Sequence, residues 1–258
     1  MTDIPQLVAA FIFGAVTGSF LNVCIFRLPG GESVATPPSR CPRCGCRIRW
    51  YDNIPLLSYL FLMGRCRDCG DAISLRYPLV ELLNGLLTAA LFSRFGFSAN
   101  FLVFFIFSSS LLVVTFVDLE HQIIPDEISL PGILLGFVFS FFLPWHSWLG
   151  SLFGILLGGG ILLLVASVYH KITGKEGMGG GDIKLLAMMG AFLGWRAVPF
   201  IIFAASLIGS VIGIALMIIL RKDSRLAIPF GPYLAFAAMV YIFYGGEIIS
   251  WYFRLGSH

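Results

Sequence analysis

Long apolar runs recur along this chain, near residues 5–26, 78–95, 100–117, 128–143, 148–169, 185–197, 198–220 and 230–252. A helix needs about 20 apolar residues to cross the hydrocarbon of a bilayer, so the runs read as candidate spans. Composition points the same way. Hydrophobic residues make up 58% of the chain and charged residues 12%, roughly half the charge of an ordinary soluble domain. These proportions exclude an ordinary soluble enzyme, a disordered chain and a disulfide-knotted toxin. The expected fold is an all-α polytopic membrane protein with about eight transmembrane helices. The start, Met1-Thr2-Asp3-Ile4, is acidic and lacks the basic n-region of a secretory signal, so the first run is expected to be a retained helix.

Charge placement orients the chain. The long polar insertion, residues 27–77, holds Arg27, Arg40, Arg43, Arg47, Arg49, Arg65, Arg67 and Arg76 against Glu32, Asp52, Asp68 and Asp71. The positive-inside rule puts this loop in the cytoplasm and the N-terminus outside. His170-Lys171 to Lys184 and Arg221 to Arg225 are the other basic loops, so an even number of crossings should separate them. The stretch 185–220 accommodates two crossings only if the first is short; alternatively, Leu185 to Gly194 re-enters. The expected organisation is a first helix (1–26), a cytoplasmic cysteine loop domain (27–77) and a transmembrane core (78–258). Glycines spaced by four, such as Gly14/Gly18, Gly132/Gly136 and Gly154/Gly158, predict close helix packing within one bundle.

The cytoplasmic loop carries Cys41-Pro42-Arg43-Cys44 and Cys66-Arg67-Asp68-Cys69. Two C-x-x-C pairs in one loop have the makings of a zinc-ribbon-like site, in which four thiolates close a tetrahedron and knit a segment with little core of its own. Disulfides are disfavoured in the cytoplasm, which leaves reduced thiols or a redox pair as the alternatives. The arginines alone also suggest nucleic acid. Topology already explains them, however, and aromatics are not regularly interleaved, so no nucleic-acid partner is expected.

Two acidic positions stand out. Asp118 follows an uncharged apolar run, and Asp182 ends the run Gly177-Met178-Gly179-Gly180-Gly181 where a basic loop meets the next span. Parity places both on the cytoplasmic side at similar depth. Ionisable groups at membrane depth cost roughly 2.5–3.5 kcal/mol at a helix centre and suggest function by default. Two carboxylates brought together share a proton, so one acts as base on water while the other protonates a leaving amine. The glycines leave the backbone free for positive φ and for close approach of another chain. Each Asp can equally be a helix cap or an interfacial ion-pair partner. An ion-coupled transporter using paired interfacial aspartates is the alternative function, although such sites lie nearer mid-span.

Several blocks together resemble one family. They are Gly18-Ser19-Phe20-Leu21-Asn22-Val23, the paired C-x-x-C loop with Trp50-Tyr51-Asp52-Asn53-Ile54-Pro55, and Ser74-Leu75-Arg76-Tyr77-Pro78-Leu79-Val80-Glu81. The Asp118 to Asp126 segment, the G-x-G-D of Gly179 to Asp182 with Lys184, and Pro229-Phe230-Gly231-Pro232 continue the series. The chain resembles the type IV prepilin peptidases, bifunctional leader peptidases and N-methyltransferases of bacterial inner membranes.

The resemblance implies cleavage of the basic leader of type IV prepilins or type II secretion pseudopilins, after a glycine and on the cytoplasmic side. It also implies methylation of the new N-terminus with S-adenosylmethionine, without assigning residues to that cofactor. Asp118 and Asp182 are the implied catalytic pair. Gly179, Gly180, Gly181, Asp126, Lys184 and Glu81 are supporting or substrate-binding candidates, with Asp126 equally readable as a cap and Glu81 as an ion-pair partner. Cys41, Cys44, Cys66 and Cys69 are the expected zinc ligands.

Overall fold

The computed structural model describes residues 3–142, 147–174, 179–220 and 229–255. Gly177 and Met178 of the glycine run, and the basic loop Arg221 to Arg225, lie outside the described residues. The described part is helical, with no strand and two isolated β-bridges. The helices are α1 (Ile4–Arg27), α2 (Leu57–Phe61), α3 (Arg76–Phe95), α4 (Ala99–His121) and α5 (Asp126–Phe139). They continue with α6 (Trp148–Thr173), α7 (Gly180–Leu193), α8 (Ala197–Leu220) and α9 (Gly231–Leu255). Each of the apolar runs falls largely within one of these, and α2 lies inside the cysteine loop.

Among the described residues, four helices, α1, α4, α6 and α8, are long and apolar enough to cross a membrane. Of the rest, α3 is more polar and α2, α5 and α7 are shorter. Arg76, Glu81, Asn84 and Arg94 interrupt α3, while α5 and α7 have 14 residues each.

The chain forms two compact units, residues 1–113 and 114–258. In the first, α1 packs along α3. Small residues allow this: a Cβ at Gly18 would stand 2.8 Å from Glu81 Cα, and Gly14 abuts Thr88. The close approach is sealed by Asn84, whose Nδ2 donates to Gly14 O at 2.7 Å and to Thr17 Oγ1 at 2.9 Å. Ser109 donates to Asn84 Oδ1 at 3.0 Å, so the amide is engaged on both sides. Buried polar groups among apolar helices need such partners.

In the second unit α7 is the central helix, contacted by α5, α6, α8 and α9. Every residue from Leu185 to Leu193 is buried. The glycine pairs of the neighbouring helices face it. Gly132 and Gly136 of α5 lie against Met188, Ala191 and Phe192, while Gly154 and Gly158 of α6 meet the backbone of Gly190 and Leu186. Ser151 of α6 adds a hydrogen bond to Ala191 O at 2.8 Å. A side chain at Gly154 or Gly158 would force the backbones of α6 and α7 apart.

Candidate active site and metal centre

Asp118 sits in the last turn of α4, and it is 5% exposed. Its Oδ2 accepts the amide N–H of Gly231 at 2.9 Å. Gly231 opens α9, where the first N–H groups have no partner within the helix and the dipole favours an anion. The fit also needs glycine, because a Cβ there would stand 2.7 Å from Oδ2.

Asp182 occupies the first turn of α7, ahead of the buried apolar stretch that begins at Leu185. Burial, and then the charge of Asp118, push its carboxyl up to about 6. The fold therefore brings the two aspartates within electrostatic reach, and like charges so placed favour holding one proton between them. The glycines before Asp182 behave differently from the expectation of positive φ. Gly179 caps α7 with φ −69°, and Gly180 and Gly181 already belong to the helix. Space, rather than left-handed backbone, is what requires glycine at 181: a Cβ would stand 2.9 Å from Ile124 Cβ.

Asp126 and Lys184 form a bidentate ion pair, Nζ to Oδ1 2.7 Å and to Oδ2 2.8 Å. The pair fastens the first turn of α5 to the start of the second turn of α7, two residues beyond Asp182. With both of its oxygens taken by Lys184, Asp126 has a structural partner.

Glu81 belongs to the first unit. It is buried in α3, and its Oε2 accepts the Leu56 N–H at 2.8 Å. The Ser19 hydroxyl donates to the same carboxylate. Its described partners are a loop amide and a hydroxyl. In the cysteine loop, an open cleft of about 510 Å³ is lined by Ser39, Arg47, Arg49, Trp50, Tyr51 and Asn53.

The two C-x-x-C segments fold as matching knuckles. Cys41 N donates to Cys46 O and Gly45 N to Cys41 O, each at 2.9 Å; Cys66 N donates to Asp71 O at 2.8 Å and Gly70 N to Cys66 O at 2.9 Å. Gly45 (φ +71°) and Gly70 (φ +72°) make the left-handed step of each turn, which a Cβ would strain. The Sγ atoms of Cys41, Cys44, Cys66 and Cys69 all lie within 4.8 Å of one another, and Cys41 and Cys69 are 3.9 Å apart. Tetrahedral Zn–S bonds of about 2.3 Å place sulfurs about 3.8 Å apart, so the donor set fits such an ion. A backbone N–H from Cys44 pulls the Cys41 thiol down to about 7, while Cys44 and Cys69 are raised by their sulfur neighbours.

Of these relationships, the sequence offered the aspartates and the cysteines. It did not offer Gly231 as the partner of Asp118, since the two are 113 positions apart. The only available signal was the glycine between two prolines in Pro229-Phe230-Gly231-Pro232.

Comparison with known proteins follows the same division. Residues 12–95 match the bacterial peptidase A24 N-terminal domain, and residues 105–214 match the type IV leader peptidase family. A prepilin leader peptidase/N-methyltransferase of Stutzerimonas stutzeri is 38% identical over 96% of this chain and 94% of its own length. One from Pseudomonas aeruginosa is 38% identical over 97% and 94%. A third, from Myxococcus xanthus, is 44% identical over 81% of this chain and 62% of its own length. No solved structure matches. The chain belongs to the type IV leader peptidase family.

Proposed function

We infer that this protein is a membrane endopeptidase that removes the leader of type IV prepilins or pseudopilins and N-methylates the exposed residue. The pairing of Asp118 with Asp182 at helix ends carries the peptidase reading. In that reading Asp118, its Oδ2 fixed by Gly231, takes a proton from water as the water oxygen bonds to the scissile carbonyl carbon. Asp182 gives its proton to the departing amide nitrogen as the C–N bond breaks. Gly179 and Gly180 leave that approach free of side chains, and the Lys184–Asp126 pair holds Asp182 in register.

S-adenosylmethionine supplies the methyl group. The cleft at Trp50 has suitable chemistry for it: Trp50 offers a face for an adenine, and Arg47 is matched to a carboxylate. Zinc held by Cys41, Cys44, Cys66 and Cys69 would keep the loop folded.

The eight apolar runs form eight crossings of the bacterial inner membrane, with the N-terminus outside and the cysteine loop and both aspartates on the cytoplasmic side. In domain terms, 1–26 is the first helix, 27–77 the zinc loop and 78–258 the peptidase core. The test is incubation of the reconstituted protein with a prepilin. Leader loss without S-adenosylmethionine, and a further methyl mass with it, is the expected result; an intact prepilin would overturn the reading.

A further inference from the structure

The cysteine loop contains a stretch unlike the rest of it. Between Asp52 and Arg65 there is no charged residue, and the sequence Ile54-Pro55-Leu56-Leu57-Ser58-Tyr59-Leu60-Phe61-Leu62-Met63 is almost wholly apolar. Part of it turns inward. Leu56, Tyr59 and Leu62 are partly buried, and the Tyr59 ring covers Gly64, where a Cβ would stand 2.9 Å from its hydroxyl. The other face is bare. Leu57 is 51% exposed, Leu60 69%, Phe61 81% and Met63 85%.

Leu57, Leu60 and Phe61 follow the i, i+3, i+4 spacing of a single helix face. On a water-washed loop that face would be charged, and a contiguous apolar patch normally marks a contact. The depth of the segment identifies the contact. Leu56, the residue before α2, is bonded to Glu81 of α3, and Glu81 packs on Gly18 of α1. Gly18 lies well before the end of a helix long and apolar enough to span a bilayer, which closes only at Arg27. The start of α2 is thereby drawn to the level of a membrane-spanning helix. Leu75, Leu79 and Leu82, on the chain's return into α3, are exposed apolar side chains as well. Arg65 follows the segment at once, suited to the headgroup layer.

We propose that α2 and its flanks lie in the bilayer interface, with Leu57, Leu60, Phe61 and Met63 inserted among phospholipids at the membrane face where α1 ends and α3 begins. The loop is then a monotopic element moored beside its own spanning helices. The mooring also sets the height of the cysteine cluster, because Cys66 follows Arg65 directly.

The unmodified full chain can test this. It is reconstituted in phospholipid vesicles carrying a diazirine in the acyl chain, irradiated, digested with trypsin and sequenced by mass spectrometry. Trypsin cuts after Arg49 and Arg65, releasing Trp50 to Arg65 as one peptide. A lipid adduct on Leu57, Leu60, Phe61 or Met63, with none on the polar peptide Leu28 to Arg40, is expected. Adducts confined to the spanning helices, or equal on both loop peptides, would overturn the proposal. As a second measurement, the Leu60→Asp, Phe61→Asp double variant should keep its metal content and lose the adduct. An adduct on that loop peptide undiminished by the two charges would also overturn it.

Discussion

The amide of Gly231 donates to Asp118 Oδ2 at 2.9 Å, across 113 positions of sequence. A methyl group at 231 would stand 2.7 Å from that oxygen and displace it. Hydrogen bonds to charged groups contribute about 1.5–3 kcal/mol, so Gly231→Ala should lower leader cleavage by about 10- to 100-fold. Methylation of a pilin supplied already cleaved should be spared. Initial rates on both substrates check this, and equal losses on the two would point to misfolding instead.

Asp118→Asn and Asp182→Asn should each abolish cleavage while the protein remains folded. Asparagine keeps the shape of aspartate but neither gives nor takes a proton at neutral pH. Full processing by either variant, followed by gel shift of the prepilin, would remove the two-aspartate mechanism.

Activity should depend on pH through the pair. Because Asp182 is raised to about 6, the singly protonated pair is present below that value and is lost as pH rises through it. The alkaline limb of kcat/KM should therefore have an apparent pKa near 6, far above an ordinary aspartate, and should belong to both carboxylates together. An alkaline limb that does not move when the pair is perturbed by Gly231→Ala would assign it elsewhere.

Two residues near Asp182 should respond unequally. Gly181→Val drives a branched side chain into Ile124, whose Cβ lies 2.9 Å from the position of a Cβ at 181. Overpacking of this kind costs about 1–3 kcal/mol and here would shift the first turn of α7 itself. Asp126→Asn loses only a partly exposed ion pair, worth about 0–1 kcal/mol. Cleavage should fall strongly in the first variant and by no more than about fivefold in the second. Reversing the pair, Asp126→Lys with Lys184→Asp, should recover part of what either single change loses.

Metal analysis should give about one zinc per chain, bound by four thiolates. Cys41→Ser or Cys69→Ser should release it and make the loop sensitive to protease, with methyl transfer lost before leader cleavage. Alkylation of all four thiols in the purified native protein would rule the metal out.

The helices were legible because an apolar run in a bilayer has few alternatives, and Asp118 and Asp182 stood out because charge is scarce in such runs. The cysteines announced themselves by spacing. Relationships made by packing were not legible. Nothing in the local sequence ties Lys184 to Asp126, or turns Glu81 toward the amide of Leu56. The glycines before Asp182 suggested unusual backbone, whereas Gly181 in the fold is small because Ile124 is beside it. Sequence pattern marks what is chemically unusual, and contact decides what each unusual residue is for.

The enclosure of α7 has a kinetic consequence. Its backbone is pressed against Gly154 and Gly158 on one side, and Gly132 and Gly136 of α5 close on its side chains. Amides from Leu185 to Leu193 should thus be among the slowest in the chain to exchange with deuterium, opening only when the second unit unfolds. Asp182 rides on that helix like a fixed jaw. Widening the site to admit a peptide then falls to the other jaw, the Asp118–Gly231 junction, where among the described residues a hydrogen bond joins the end of one helix to the start of another.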